Sequence, residues 1–197
     1  MFITFEGLDG SGKSTQAELL RAALEAEGRR VVLTREPGGT ELGERVRALL
    51  LDGGEIAPWT EAMLFAAARA ELVERVIAPA LEDGADVISD RYVDSSLAYQ
   101  GIARGLGVEA VLELNLHATR GLLPDRTILL LLDPVESARR AGETDRIERE
   151  GGAFRASVDA AFRELAELFP ERILPLDAAG APDEIAREIR GQLRQLA

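Results

Sequence analysis

Short apolar runs alternate along this chain with longer amphipathic stretches, and that alternation predicts its elements. Runs rich in Val, Ile, Leu and Phe read as strands at Phe2–Glu6, Val31–Arg35, Asp86–Asp90, Arg126–Asp133 and Ile173–Asp177. Stretches with apolar residues three and four apart read as helices at Ser14–Ala26, Glu41–Leu51, Trp59–Glu82, Ser95–Arg104, Val108–Thr119, Val135–Arg140, Phe154–Phe169 and Asp183–Leu196. Gly28 follows the first helix, Asp133-Pro134 suits a helix start, and Pro182-Asp183-Glu184 opens the last helix with charge that its dipole favours. The run from Ile128 to Leu132 is apolar throughout, as in a strand covered on both faces. Strands separated by helices imply an α/β fold with a parallel sheet and right-handed crossovers. The segment Ala141–Gly152 breaks the pattern with Gly142, Gly151, Gly152 and mixed charge, and reads as a mobile surface loop. There is no internal repeat or low-complexity tract.

Composition narrows the chemistry. The chain has 197 residues, 46% hydrophobic and 29% charged, which suits one domain with a sizeable core. A net charge of −12 argues against a nucleic-acid polymer or an anionic membrane as partner. It leaves room for a nucleotide, because a local arginine cluster can hold phosphates. There is no cysteine, hence no disulfide framework and no thiolate metal site. The one histidine, His117, cannot build a zinc site alone and reads as structural. No signal peptide or membrane span is evident, since Leu129–Leu132 is far too short, so a cytoplasmic address is expected.

Lys13 is the single lysine among 23 basic residues. It ends Gly7-Leu8-Asp9-Gly10-Ser11-Gly12-Lys13 and is followed by Ser14, the pattern of a phosphate-binding loop between a strand and a helix. Glycines let successive N–H groups close around a polyphosphate. The lysine reaches the outer phosphates as a point charge, and the serine ligates Mg²⁺.

Other constellations fall near the same edge. In a parallel sheet a ligand lies beyond the carboxyl ends of the strands. Val87-Ile88-Ser89-Asp90-Arg91 delivers two charges there: Asp90 as a partner for Mg²⁺, direct or through water, and Arg91 for a second anion. The same pair also suits a plain turn, with Asp90 capping it and Arg91 in solvent. Arg35-Glu36-Pro37-Gly38-Gly39-Thr40 lets the backbone approach a ligand, or simply turns the chain. Phe65 and Arg69, four apart, share one helix face. They can stack on a planar base and bond its edge, or be a core ring beside an exposed cation. Arg139, Arg140, Arg146 and Arg149 are either solvated charge or lid groups; a lid arginine over a transferring phosphoryl group is worth roughly 10³–10⁵ in rate. There is no Asn-Lys-x-Asp motif of a GTPase and no support for a Ser-His-Asp arrangement. The residues alone leave other small-molecule kinases open, and from another class an ATP-dependent switch, which the acceptor-side constellation disfavours.

Six segments together resemble the thymidylate kinase family: Phe5 through Gln16, Arg35 through Thr40, Leu64 through Arg69, Asp90-Arg91-Tyr92, Ser95 through Gly101, and Asp145-Arg146-Ile147-Glu148. The resemblance implies a three-layer P-loop kinase fold with a five-stranded parallel sheet flanked by helices. It implies a single domain over residues 1–197 with a lid at about 140–152. It further implies Mg²⁺-dependent transfer of the ATP γ-phosphoryl group to dTMP, giving dTDP and ADP on the way to dTTP, by a homodimer. On the ATP side it assigns Gly7, Leu8, Asp9, Gly10, Ser11, Gly12, Lys13, Ser14 and Thr15 to the phosphates. It sets Arg140 against adenine and the loop Asp177-Ala178-Ala179 on the other side of that ring. Metal roles fall to Ser14 and Asp90, and to Asp9, which faces either the deoxyribose or the metal. On the dTMP side it assigns Glu36 and Pro37, Phe65 stacked on thymine, Arg69 at the base edge, and Arg91 on the phosphate. Ser95, Ser96, Tyr99 and Gln100 line base and sugar, with Tyr99 crowding a ribose 2′-OH. Catalysis falls to Lys13, Asp90, Arg91, Arg140 and Arg146. One variant of the family carries an arginine inside the phosphate loop; the other keeps glycine there and uses lid arginines. Gly10 puts this chain with the second, which leaves Arg139, Arg140, Arg146 and Arg149 as candidates for the reaching cation.

Overall fold

The computed structural model describes residues 1–142 and 145–194. Glu143 and Thr144, within the expected lid, and residues 195–197, at the expected end of the last helix, lie outside the described residues. Five strands form one all-parallel sheet: β1 (Phe2–Glu6), β2 (Val31–Arg35), β3 (Asp86–Asp90), β4 (Arg126–Leu131) and β5 (Ile173–Asp177). Their order is β2-β3-β1-β4-β5. Central β1 is buried along its whole length. Its neighbours register Phe5 against Asp90 on one side and Ile128 on the other.

Side chains alternate between two cores. Ile3, Phe5, Ile88, Ile128 and Leu130 pack against Ala17, Leu20 and Leu24 of α1 (Lys13–Ala26) and Ile185 and Ile189 of α9 (Pro182–Arg194). Phe2, Val87 and Leu129 face the opposite layer, which includes Leu72, Val111, Phe162 and Leu165. That layer contains α3 (Pro58–Leu72), α6 (Val108–Thr119) and α8 (Gly152–Leu168). The remaining helices are α2 (Glu41–Asp52), α4 (Ala78–Glu82), α5 (Val93–Ser96) and α7 (Pro134–Arg140).

Most element ends fall within one or two residues of the sequence reading, and three differences are informative. The fourth strand stops at Leu131 rather than Asp133. The Asp133 carboxylate caps α7, accepting from the N–H groups of Val135 at 2.9 Å and Glu136 at 3.1 Å. The helix expected over 59–82 keeps its path but widens into a π-helical turn at Val73–Ile77. Pro79 has no N–H for the carbonyl four residues back, and its ring crowds that oxygen; the wider turn relieves both. The helix expected over 95–104 likewise starts as α5 and continues as a π-helical turn at Leu97–Ala103, which carries Tyr99 and Gln100.

Candidate active site

β1 and β3 pair directly and both end at a cavity of about 670 Å³. Residues 9–16, Phe65, Asp90, Arg91, Arg140 and Glu148 are among its lining groups. The loop 7–12 leaves β1 and feeds α1, whose N-terminus has no side-chain cap. Its first N–H groups and positive dipole end therefore suit an anion. Lys13 is 5% exposed; its ammonium donates to the Leu8 carbonyl at 2.9 Å and to Asp9 Oδ1 at 3.4 Å. Burial, then the Arg91 charge, pulls the Lys13 pKa below its ordinary value. Ser11 Oγ is buried without a partner among the described residues. Gly7 and Leu8 underpin the loop, Leu8 from within the core. Thr15 lines the cavity beside Ser14.

The loop is held from above by α7. The Ser137 hydroxyl donates to the Asp9 carbonyl at 2.5 Å. Gly10, at φ +85°, sits so close that a Cβ there would fall 2.3 Å from the Ser137 carbonyl oxygen. The same helix carries Arg139 and Arg140, both bonded to Glu136. Those two bonds hold the Glu136 carboxyl down at about 2. Arg140 lines the cavity, as do Ala178, Gly180 and Pro182 across from it. Ala179 is exposed and gives its N–H to Asp177 at 2.9 Å.

Asp90 and Ser14 meet where β3 ends: the hydroxyl donates to Asp90 Oδ2 at 2.5 Å. A hydroxyl and a carboxylate are hard oxygen donors, and Mg²⁺ takes one or two such protein ligands with waters and substrate phosphates. The pair therefore fits Mg²⁺. Next to it Arg91 adopts φ +71°, rare for a side chain of its size and a common mark of functional sites. Its guanidinium donates to Asp9 at 2.7 Å and Ser95 Oγ at 2.8 Å, and lies 5.3 Å from the Tyr99 ring centre. Burial alone would raise the Asp9 carboxyl, but Arg91 and then Lys13 hold it well below the usual range. Burial also pushes the Tyr99 phenol up to about 12. Beneath them Glu6 accepts from the N–H of Tyr92 at 2.8 Å, the N–H of Ser95 at 3.1 Å and the Ser95 hydroxyl at 2.5 Å. Burial, then the Asp94 charge, raises Glu6 to about 7.

The far wall comes from α3 and the loop after β2. Phe65, Glu36, Pro37, Ser95, Ser96, Tyr99 and Gln100 line the cavity. Arg69 stands behind this wall, 1% exposed. Its Nε donates to Glu36 at 2.7 Å, Nη1 to Ser96 at 3.0 Å and to Asn115, and Nη2 to the Tyr92 carbonyl at 3.0 Å. Nη2 also lies 2.6 Å from Glu36. Every guanidinium donor is engaged inside the protein, so a bond from Arg69 to a base edge requires one of these to be released. Glu36 keeps its Oε1 buried and unpartnered among the described residues, and burial raises its pKa.

Arg146, expected among the reaching arginines, is turned inward at 9% exposed, bonded to the Leu50 carbonyl and Glu61. Arg149 is exposed on a single 3₁₀ turn, Glu148–Glu150. His117 is exposed on α6, its Nδ1 2.9 Å from the Glu113 carbonyl oxygen. Sequence reasoning gave no role to four charged residues at the cavity: Arg35, Arg47, Asp145 and Glu148. Asp145 and Glu148 flank Arg146 within a quoted motif, and that proximity was their one signal. Arg47 looks in sequence like any cation on an amphipathic helix. Among the described residues no cluster of three or more His, Asp or Glu could hold a metal alone, and no helix is long and apolar enough to cross a membrane.

A loop of phosphate-binding pattern and the Phe65 ring line one cavity, an arrangement that suits two substrates. The family model described as thymidylate kinase matches residues 5–189. A thymidylate kinase of Bifidobacterium longum is 50% identical over 203 residues, spanning 100% of this chain and 98% of that protein. One from Clavibacter michiganensis is 52% identical over 201 residues, spanning 100% and 95%. The crystal structure of thymidylate kinase from Ehrlichia chaffeensis superposes with a TM-score of 0.81 at 35% identity, covering 98% of each chain. Sheet, cavity and kinship thus converge on one conclusion, that this chain belongs to the thymidylate kinase family.

Proposed function

We propose that the chain transfers the ATP γ-phosphoryl group to dTMP by direct in-line displacement, with Mg²⁺ held by Ser14 and Asp90. The observation that carries this reading is that Arg91, the loop at residues 9–16 and Phe65 line one cavity, with Arg91 bonded both to Asp9 of the loop and to Ser95. The acceptor phosphate oxygen is already anionic at neutral pH, so the protein's task is positioning and charge neutralisation. Loop N–H groups, Lys13 and the Ser11 hydroxyl hold the ATP phosphates, and Mg²⁺ when bound neutralises charge on them. Arg91, with Arg47 across the cavity, offsets repulsion between the two anionic substrates. Asp9 holds Arg91 in place and faces the acceptor. Phe65 stacks on thymine; Glu36, Ser95, Ser96, Tyr99 and Gln100 surround base and sugar, and Arg69 fixes Glu36 and Ser96 from behind. Arg140 is the lid arginine best sited for the nucleotide, because it lines the cavity; its guanidinium is held by Glu136 and would turn to the nucleotide on release. In this reading residues 1–197 make one domain with a lid at about 140–152, working in the cytoplasm.

ADP release with dTMP, dUMP, dGMP, AMP and shikimate in parallel tests the acceptor assignment. The highest kcat/KM is expected for dTMP; preference for any other acceptor overturns it.

The working unit in this reading is a homodimer joined through α2 and α3. Leu42 and Leu49 on α2 are 49% and 58% exposed, and Trp59 and Met63 on α3 are 41% and 56% exposed. These two helices pack side by side, so the four residues form a candidate apolar seam. The double variant Leu49→Glu, Met63→Glu is expected to halve the mass seen by light scattering. An unchanged mass, or a wild-type protein that is already monomeric, counts against this interface.

A further inference from the structure

Glu61, Phe65 and Arg69 recur every four residues along α3, so one helix face presents all three, about 6 Å apart per step. Phe65 is the cavity wall and Arg69 its support. Glu61, one turn nearer the helix start, is 1% exposed and touches neither substrate region directly. Its carboxylate instead gathers three donors from separate segments. Gln100 Nε2 donates to Oε1 at 2.8 Å. Arg104 reaches both oxygens at 3.3 Å. Arg146 Nη2 donates to Oε2 at 2.5 Å.

The first and last of these lead to two separate segments of the cavity's lining. Gln100 lines the slot beside Phe65. Arg146 lies between Asp145 and Ile147–Glu148, which line the cavity's upper wall. That short stretch is pinned further to the end of α2. The N–H of Arg146 donates to the Leu51 carbonyl at 2.9 Å and its Nε to the Leu50 carbonyl at 2.7 Å. Those carbonyls are among the orphans of a helix C-terminus, where a cation is favoured. Arg104 adds a third tie, bonding Glu150 at 2.8 Å while its guanidinium lies 4.5 Å from the Phe154 ring centre.

We infer that Glu61 is a positioning residue that couples the base slot to the upper wall, seating Asp145–Glu148 through Arg146 and orienting Gln100 in the slot. Any movement of the upper wall that shifts Arg146 pulls on the carboxylate that also holds Gln100, and the converse holds by reciprocity. This rests on the acceptor-slot reading above, which Phe65→Ala tests separately through a rise in dTMP KM.

The test is a double-mutant cycle with Glu61→Gln and Arg146→Met, read by steady-state kinetics on both substrates. Glu61→Gln is expected to raise dTMP KM and lower kcat by about tenfold each, with ATP KM moved less than about twofold. Arg146→Met is expected to raise dTMP KM although it does not touch the slot, and the double variant is expected to be little worse than Glu61→Gln alone. Additive effects, equal losses for ATP and dTMP, or a dTMP KM unmoved by Arg146→Met overturn the coupling. Should Glu61→Gln fail to fold, the dTMP KM of Arg146→Met alone decides. If Phe65→Ala weakens dTMP while Arg146→Met does not, the slot stands and the coupling falls; if Phe65→Ala has no effect, the slot reading itself fails.

Discussion

Replacing Lys13 with alanine is expected to lower kcat by about 10²–10³-fold, with dTMP KM nearly unchanged. The ammonium is the one side-chain cation inside the loop at residues 7–14, and it sits at the start of α1, where the proposed function puts the outer phosphates of ATP. A lost donor to developing charge in a water-poor site costs about 3–4 kcal/mol in the barrier. The fold should survive, because Asp9 keeps its 2.7 Å bond to Arg91 and the Leu8 carbonyl can be rehydrated from the cavity. Lys13→Arg should not restore turnover. A planar fork cannot replace a compact ammonium where the space is shaped for one. Single-turnover measurement of dTDP formation checks this, and near-wild-type rates for either variant would sink the assignment of the loop.

Gly10→Ala is expected to be among the most damaging of the conservative changes in the loop. Two costs add. A φ of +85° disfavours any side chain by about 1–2 kcal/mol. The new Cβ would also lie 2.3 Å from the Ser137 carbonyl oxygen and 2.8 Å from the Ala141 nitrogen. Both are backbone atoms, so relief requires α7 or the loop itself to move. Gly12→Ala isolates the first cost, because at φ +95° a Cβ there meets nothing within 4 Å. Thermal unfolding without nucleotide should show Gly10→Ala less stable than Gly12→Ala by at least about 1 kcal/mol. ATP KM should rise in Gly10→Ala as the loop is displaced. Equal stability of the two variants would mean that α7 yields freely and that its contact with the loop carries no constraint.

That contact bears on which side chains position 10 can hold. With α7 lying against residue 10, a long cationic side chain at that position has no room to leave the loop. In the proposed reading the helix itself then offers a cation to the cavity, through Arg140.

The strands were readable from the sequence because each is short, strongly apolar and bounded by polar turns, and β1 is buried along its whole length. The end of β4 was not readable, because Leu132 continues the apolar run while the cap at Asp133 is decided by helix geometry. Neither π-helical turn was readable either. A single widened turn shifts the period too little to show in a hydrophobic pattern, although Pro79 hinted at the first. At the site, the loop around Lys13 was legible because all its parts are adjacent in sequence. The pairing of Ser14 with Asp90 joins positions 76 apart, and Arg146 meets Glu61 across 85. Spacing along the chain carries no trace of such meetings. Arg146 therefore read as one more mobile cation, when folding spends its charge on a buried carboxylate. Arg69 was legible in part: its position beside Phe65 could be read, but the partners that engage its donors could not.

The solitary lysine has a consequence for how the protein meets reactive small molecules. Most chains scatter side-chain amines over their exterior, where acylation or carbamylation is harmless. Here the sole alternative primary amine is the terminal one, 3.2 Å from Asp86. Acetyl phosphate, cyanate or an activated ester then meets no other lysine, and every side-chain amine adduct falls on Lys13, in the loop proposed to hold the polyphosphate. Chemical ageing of this protein is thereby concentrated at one nitrogen, which bound nucleotide would shield.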